Sequence, residues 1–263
     1  SNDFFSVFGK IYYEKSKILL KDSFVFNLGQ GSLSLVGDYN IGKEHLNLEM
    51  KLNNSELESF SNLFNISFLP KSKINGTMYL SGLIDNPSLR GNLNFNNIKS
   101  NNYSLDNLSS TFSFNSVNNS KDGSLFLNGK NIEFEDINYD NLEMNFYFLE
   151  DTIYIAKANL SKDNENTIFS GEIINFENIN IDQFRSNING EKIHIVEPLK
   201  ISYYNNKFQL EPSKFIINNG NIEVSANFNF NKIFKGNLNV NNFEINVINS
   251  FLKDNIPLSG ILN

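Results

Sequence analysis

Apolar residues recur at every second position along most of this chain. Segment 74–98, INGTMYLSGLIDNPSLRGNLNFNNI, shows the pattern most plainly. Met78 and Leu80 lead into Gly82, and Leu93 and Phe95 follow Gly91. Between them Asp85-Asn86-Pro87-Ser88 interrupts the alternation. Pro87 has no N–H and pushes Asn86 out of the helical region, which predicts strand, turn, strand. A period of two places alternate side chains on opposite faces, so each strand carries one apolar and one polar face.

The alternation predicts earlier extended runs at 7–13, 16–20, 24–28, 32–36 and 46–52, the last with Leu46, Leu48, Met50 and Leu52 on one face. Later runs are expected at 108–114, 124–127, 132–134, 142–149, 152–160, 168–176, 193–196, 199–204, 208–210, 214–217, 222–230 and 236–240. Asn40 with Gly42, Asn128-Gly129, Glu150-Asp151, Asn189-Gly190, Asn205-Asn206 and Asn219-Gly220 supply the turns. One stretch differs. Leu57, Phe60, Leu63 and Phe64 fall at helical spacing, and Ser55 with Glu58 reads as a capping box, predicting a short helix over 55–64. Residues 241–252 align without gaps with 53–64, so a second short helix is expected near 247–252. Ile74-Asn75-Gly76 and Leu258-Ser259-Gly260 then open matching strands. Repeat units of about 1–52, 53–240 and 241–263 follow, within one continuous segment 1–263.

Composition narrows the function classes. The net charge is −7, with only Lys15, Lys17 and Lys21 approaching a basic patch, so phosphate-neutralising contact with nucleic acid is disfavoured. Cysteine is absent, which excludes disulfides, a thiolate nucleophile and a Cys-based zinc site. No apolar run reaches the ~18 residues of a membrane-spanning helix. Ser1-Asn2 reads as a cloning remnant, and the chain as a piece of a longer protein with any membrane anchor elsewhere. The abundance of Asn, Lys, Ile and Phe reflects A/T-rich codons and carries no functional weight.

An apolar sheet face must meet a second sheet, close on itself, or hold a ligand. The large residues of this face, the repetition along the chain and its end just after a new unit begins all favour the last. The pattern Gly76-x3-Leu80-x-Gly82-x3-Asn86-Pro87-x-Leu89-x-Gly91-x-Leu93 resembles the repeated signature of the TamB/AsmA-like bacterial envelope family. The resemblance covers most of the chain in style, and Asn-Pro-x-Leu-x-Gly is its most specific box. It implies an all-β, elongated, taco-shaped open groove of many antiparallel or mixed strands with one or two short helices. It implies a phospholipid conduit in the periplasm, anchored in the inner membrane and possessing an outer-membrane barrel partner, with no catalysis and no cofactor. About 16 strands at ~4.8 Å would make a trough on the order of 75 Å long. Candidate lining residues are Leu33, Leu35, Leu46, Leu48 and Met50, then Leu93, Phe95, Phe112, Phe114, Leu125 and Leu127. They continue as Leu142, Met144, Phe146 and Phe148, then Ile222, Val224, Phe228, Phe230, Leu238 and Val240. The competing readings are a dry β-solenoid or sandwich serving as scaffold, adhesin or outer-membrane assembly factor, and an enzyme on a β-helix.

Other motifs carry less. His45 neighbours a turn, and His194 alternates with Ile193 and Ile195, so both are expected on the polar face. Asp136-x-Asn138-x-Asp140 begins like a calcium loop, but Asn141 stands where Gly is needed and Tyr147 where Glu is needed. Gly29-x-Gly31 lacks a following helix and a phosphate-binding lysine. Glu133 and Glu135 share an outward face without a facing partner, and the sequon at Asn65 is a chance product of Asn richness.

Overall fold

The computed structural model describes residues 5–28, 30–58, 70–100, 103–116, 122–134, 137–229, 234–244 and 260–262. Eighteen strands belong to one sheet, and every pairing whose register is described is antiparallel. The all-β expectation holds. The chain divides into two compact units, residues 1–143 with 148–150, and 144–147 with 151–263.

The first unit begins with β1 (Phe5–Phe8), β2 (Ile11–Glu14) and β3 (Lys17–Leu28). It continues with β4 (Gly31–Asn40), β5 (His45–Glu56), β6 (Lys71–Leu83), β7 (Asn86–Lys99), β8 (Tyr103–Phe114) and β9 (Gly123–Phe134), and shares β10 (Ile137–Leu149). From β3 to β9 each strand pairs with the next, because short turns favour antiparallel neighbours. β1 and β2 both pair with β3, along its two halves.

Several sequence boundaries shift, for local reasons. The run 7–13 is two strands, not one. The runs 16–20 and 24–28 are one strand, because Asp22 and Ser23 take positive φ and form a bulge instead of ending it. Asn128-Gly129 is no turn: Gly129 sits inside β9 opposite Leu108, with Leu142 packed over it. Asn86, Pro87 and Ser88 belong to β7, leaving residues 84–85 as the turn. Proline is tolerated there because it stands at the strand's second residue.

The helix over 55–64 is corrected in part. Ser55 and Glu56 complete β5, and helical geometry starts only at Leu57 and Glu58. Ser55 Oγ donates to Ser32 O at 2.9 Å, so the hydroxyl serves the sheet and not a helix cap. Residues 59–64, and the second expected helix near 247–252, lie outside the described residues.

The second unit holds β11 (Thr152–Lys162), β12 (Glu165–Ile174), β13 (Asn178–Ile188), β14 (Glu191–Ile195) and β15 (Leu199–Tyr204). It ends with β16 (Lys207–Ile217), β17 (Gly220–Asn229), β18 (Phe234–Asn241) and the separate pair β19 (Phe243–Glu244) and β20 (Ile261–Leu262). β14 and β15 occupy one strand position between β13 and β16, interrupted around Pro198. The expected runs 208–210 and 214–217 merge into β16, bulged at Glu211-Pro212.

The internal repeat has a counterpart in register. Ser55 and Glu56 pair with Ile74 and Lys73, while Phe243 and Glu244 pair with Leu262 and Ile261. Asn54 and Asn242 both take positive φ, at 47° and 50°. The pairing therefore equates Ile74 with Leu262, not with Leu258 as the sequence signal suggested.

One glycine is set by both space and backbone. Gly76 has φ +153°, and an added Cβ would run into Asn92 O and stand 2.9 Å from Leu93 Cα. Gly76→Ala is expected to cost about 1–3 kcal/mol in urea unfolding.

Candidate functional site: the apolar sheet faces

Cross-strand partners in an antiparallel sheet point to the same face, so register converts the alternation into rows. In the first unit one row runs Phe24, Leu35, Met50, Met78, Gly91, Phe112, Leu125 from β3 to β9. The next runs Phe26, Leu33, Leu52, Gly76, Leu93, Ser110, Leu127. Rows through Leu48 with Phe114, Leu46 with Gly82, and Phe95 with Leu108 lie on the same face. The structure thus brings together all eleven candidates from Leu33 to Leu127. Leu142 joins them over Gly129, and Phe148 lies 5.4 Å from Phe114 by ring centroids. Met144 and Phe146 share their parity along β10.

The opposite face is polar. Ser34, Lys51, Thr77, Asn92 and Thr111 form one row, and Glu49, Tyr79, Arg90 and Ser113 another. Lys51 Nζ meets Glu49 at 2.7 Å. That hydrogen bond, then the carboxylate's charge, raises the Lys51 ammonium above its ordinary value. His45 lies on this face opposite Leu83, exposed at the turn.

The second unit repeats the division. Its apolar rows include Ile155, Gly171, Ile181, Leu199 and Phe215, Ile222, Val240. Val224 and Leu238 are partners, and Phe228 sits opposite Phe208. Leu238 is 66% exposed on β18, far more open than its neighbours on β17. Phe230 lies outside the described residues. His194 sits opposite Arg185 and Ile216, on the face away from Ile193 and Ile195.

Burial separates two kinds of position. Most of these apolar residues are only half-buried. Leu46 and Phe112 are buried on the rows themselves, and most other well-buried ones lie near register shifts or positive-φ residues. In the first unit positive-φ Asn54 and Asn97 mark shifts between β5 and β6 and between β6 and β7, while Asn131 takes positive φ within an unshifted β8–β9 ladder. Beside them lie Leu52, Ile74, Ile98 and Ile132, all under a tenth exposed. Asn131 Nδ2 donates to Asp106 Oδ2 at 2.8 Å, and Asn54 N to Asn75 Oδ1 at 2.8 Å, so each is tied to the strand opposite. Bulges bend strands, and bulges side by side crease the sheet along one line. In the second unit shifts at Ile155/Ala158, Ser170/Gly171 and Leu210/Ser213 do the same. Ala158 is fully buried there, and Ile155, Leu199 and Ser213 nearly so.

These bulges were not foreseen from the sequence. An Asn that takes positive φ looks like any other Asn in so Asn-rich a chain. Of the calcium-like motif, Asn138 and Asp140 lie in β10 while Asp136 lies outside the described residues. Among the described residues no cluster has the makings of a metal site. No described helix is long and apolar enough to cross a membrane.

A scan against protein-family models matches none, and searches of curated proteins and of solved structures also return no match.

Proposed function

We propose that the apolar faces bind lipid acyl chains and that the chain serves as a lipid-carrying segment between membranes. The observation that supports this reading is the pairing of one-sided apolar rows with incomplete burial. Row after row of Leu, Met and Phe from β3 to β9 stays half-open. Deep burial is confined mainly to the creases. A face filled by a second protein layer would close such residues almost completely.

The energetics suit an acyl cargo. Each methylene taken from water is worth ~0.8 kcal/mol, so a palmitoyl-length chain exposes on the order of 12 kcal/mol when it leaves a bilayer. Contact with the rows offsets that cost. Dispersion contacts are non-directional and repeat strand by strand, so a chain can slide without crossing a specific bond. The polar face and the headgroup both remain in water.

The resemblance to TamB/AsmA-like envelope proteins fits this reading. Most of its signature residues fall together on the apolar face of β6 and β7, where Gly76 pairs with Leu93, Leu80 with Leu89, and Gly82 with Pro87, while Asn86 faces the other way opposite Leu83. A periplasmic location, an inner-membrane anchor outside this segment and an outer-membrane barrel partner belong to the same proposal. The scaffold reading makes the opposite demand, that protein covers the face.

Displacement of a fluorescent fatty-acid probe tests the difference. The purified chain is expected to bind the probe with saturation, and phospholipid is expected to compete it away. An apolar face closed by protein would give no saturable signal.

A further inference from the structure

The polar face of the second unit holds a feature that the acyl-chain reading does not use. The Asn189-Gly190 turn folds β14 back on β13, placing His194 opposite Arg185 and Lys192 opposite Asn187. On the other side of β13, Ile168 stands opposite Arg185 and Asn166 opposite Asn187. These side chains, with the edges of Ser186 and Ile193, line a cavity of about 550 Å³. Arg185 and Lys192 are exposed and His194 is half-buried.

The charges there are unbalanced. The chain as a whole is acidic, at −7. Yet among the described residues neither Arg185 nor Lys192 forms an ion pair. Two carboxylates near the turn are engaged elsewhere. Glu165 Oε1 accepts from Asn189 N at 2.6 Å, and Glu191 accepts from Asn218 Nδ2. Basic side chains side by side on neighbouring strands repel one another unless an anion lies between them.

We propose that this cavity binds a phosphate-type oxyanion. A guanidinium fork, an ammonium, an imidazole and the Asn166 amide offer more donors than the two oxygens of a carboxylate can use, whereas a phosphate can use them; Asn187 Nδ2 donates to Asn164 O. Ile168, 38% exposed, supplies an apolar wall suited to the ester side of such a group. The chemistry is shared by a soluble phosphate ester and an anionic lipid headgroup. The site lies on the face opposite the acyl-binding rows, so it stands or falls independently of them.

The test uses the whole chain with two probes, inorganic phosphate and vesicles of phosphatidylglycerol, with phosphatidylcholine vesicles as control. Phosphate binding is read by titration calorimetry, and vesicle binding from co-sedimentation. Saturable binding of either probe is expected, weakened at least fivefold by Arg185→Gln or Lys192→Gln and by raised salt. Lys214→Gln, an exposed cation opposite Glu223 on the same face, is expected to change nothing. Binding of phosphate alone assigns a soluble ester, and binding of the anionic vesicles assigns a headgroup. No saturable response to either probe, or a response that survives the Arg185→Gln/Lys192→Gln double substitution, overturns the proposal.

Discussion

Leu127→Glu combined with Phe228→Glu is expected to reduce acyl-chain affinity at least tenfold while both units stay folded. Each residue lies on an apolar row, Leu127 opposite Ser110 and Phe228 opposite Phe208. Each is half-buried, so a carboxylate there keeps access to water in the free protein. Once an acyl chain covers the row, the same carboxylate must be desolvated against methylenes. That costs more than the ~1.4 kcal/mol that makes a factor of ten. Circular dichroism and urea unfolding separate the two effects: binding falls, and the unfolding midpoint shifts little.

Ile98→Asp is expected to do the reverse, losing stability on the order of 4 kcal/mol or more. Ile98 is 5% exposed, pairs with Leu105 and lies beside the positive-φ Asn97. A carboxylate at that depth has no water and no partner. Leu93→Asp, on the same strand but half-buried, is expected to cost far less. Urea unfolding of the two variants measures the contrast. Equal losses would mean that the bulge line is no deeper than the open rows, and the crease would lose its role.

The division into an apolar and a polar face was legible in the sequence, because side-chain direction follows directly from period two. Leu48, Met50, Phe112 and Leu125 could be assigned to one face without knowing which strands touch. Register was not legible to the same degree. Asn128-Gly129 has the composition of a hairpin turn, yet Gly129 lies mid-strand because Leu142 needs its space. Ser55 and Glu58 have the spacing of a helix cap, but the ladder to Ile74 and the bond to Ser32 keep Ser55 in the sheet. The creases were hidden because a bulge is a property of two strands, and neither shows it alone.

The cationic cavity was closer to readable. Once Asn189-Gly190 is taken as a two-residue turn, 185 must face 194 and 187 must face 192. Arg185, Lys192 and His194 lie close in the chain among apolar and amide residues, and counting outward from the turn places them on one face. Distance along the sequence misleads most where strands are long, since partners then lie far apart.

Native mass spectrometry after mild extraction puts the central claim to its most direct test. The wild-type chain is expected to carry phospholipid as discrete added masses on its 30.0 kDa, and the Leu127→Glu/Phe228→Glu chain to arrive bare. A wild-type chain that emerges bare from lipid-rich extract, and stays bare when phospholipid is added back, would contradict it.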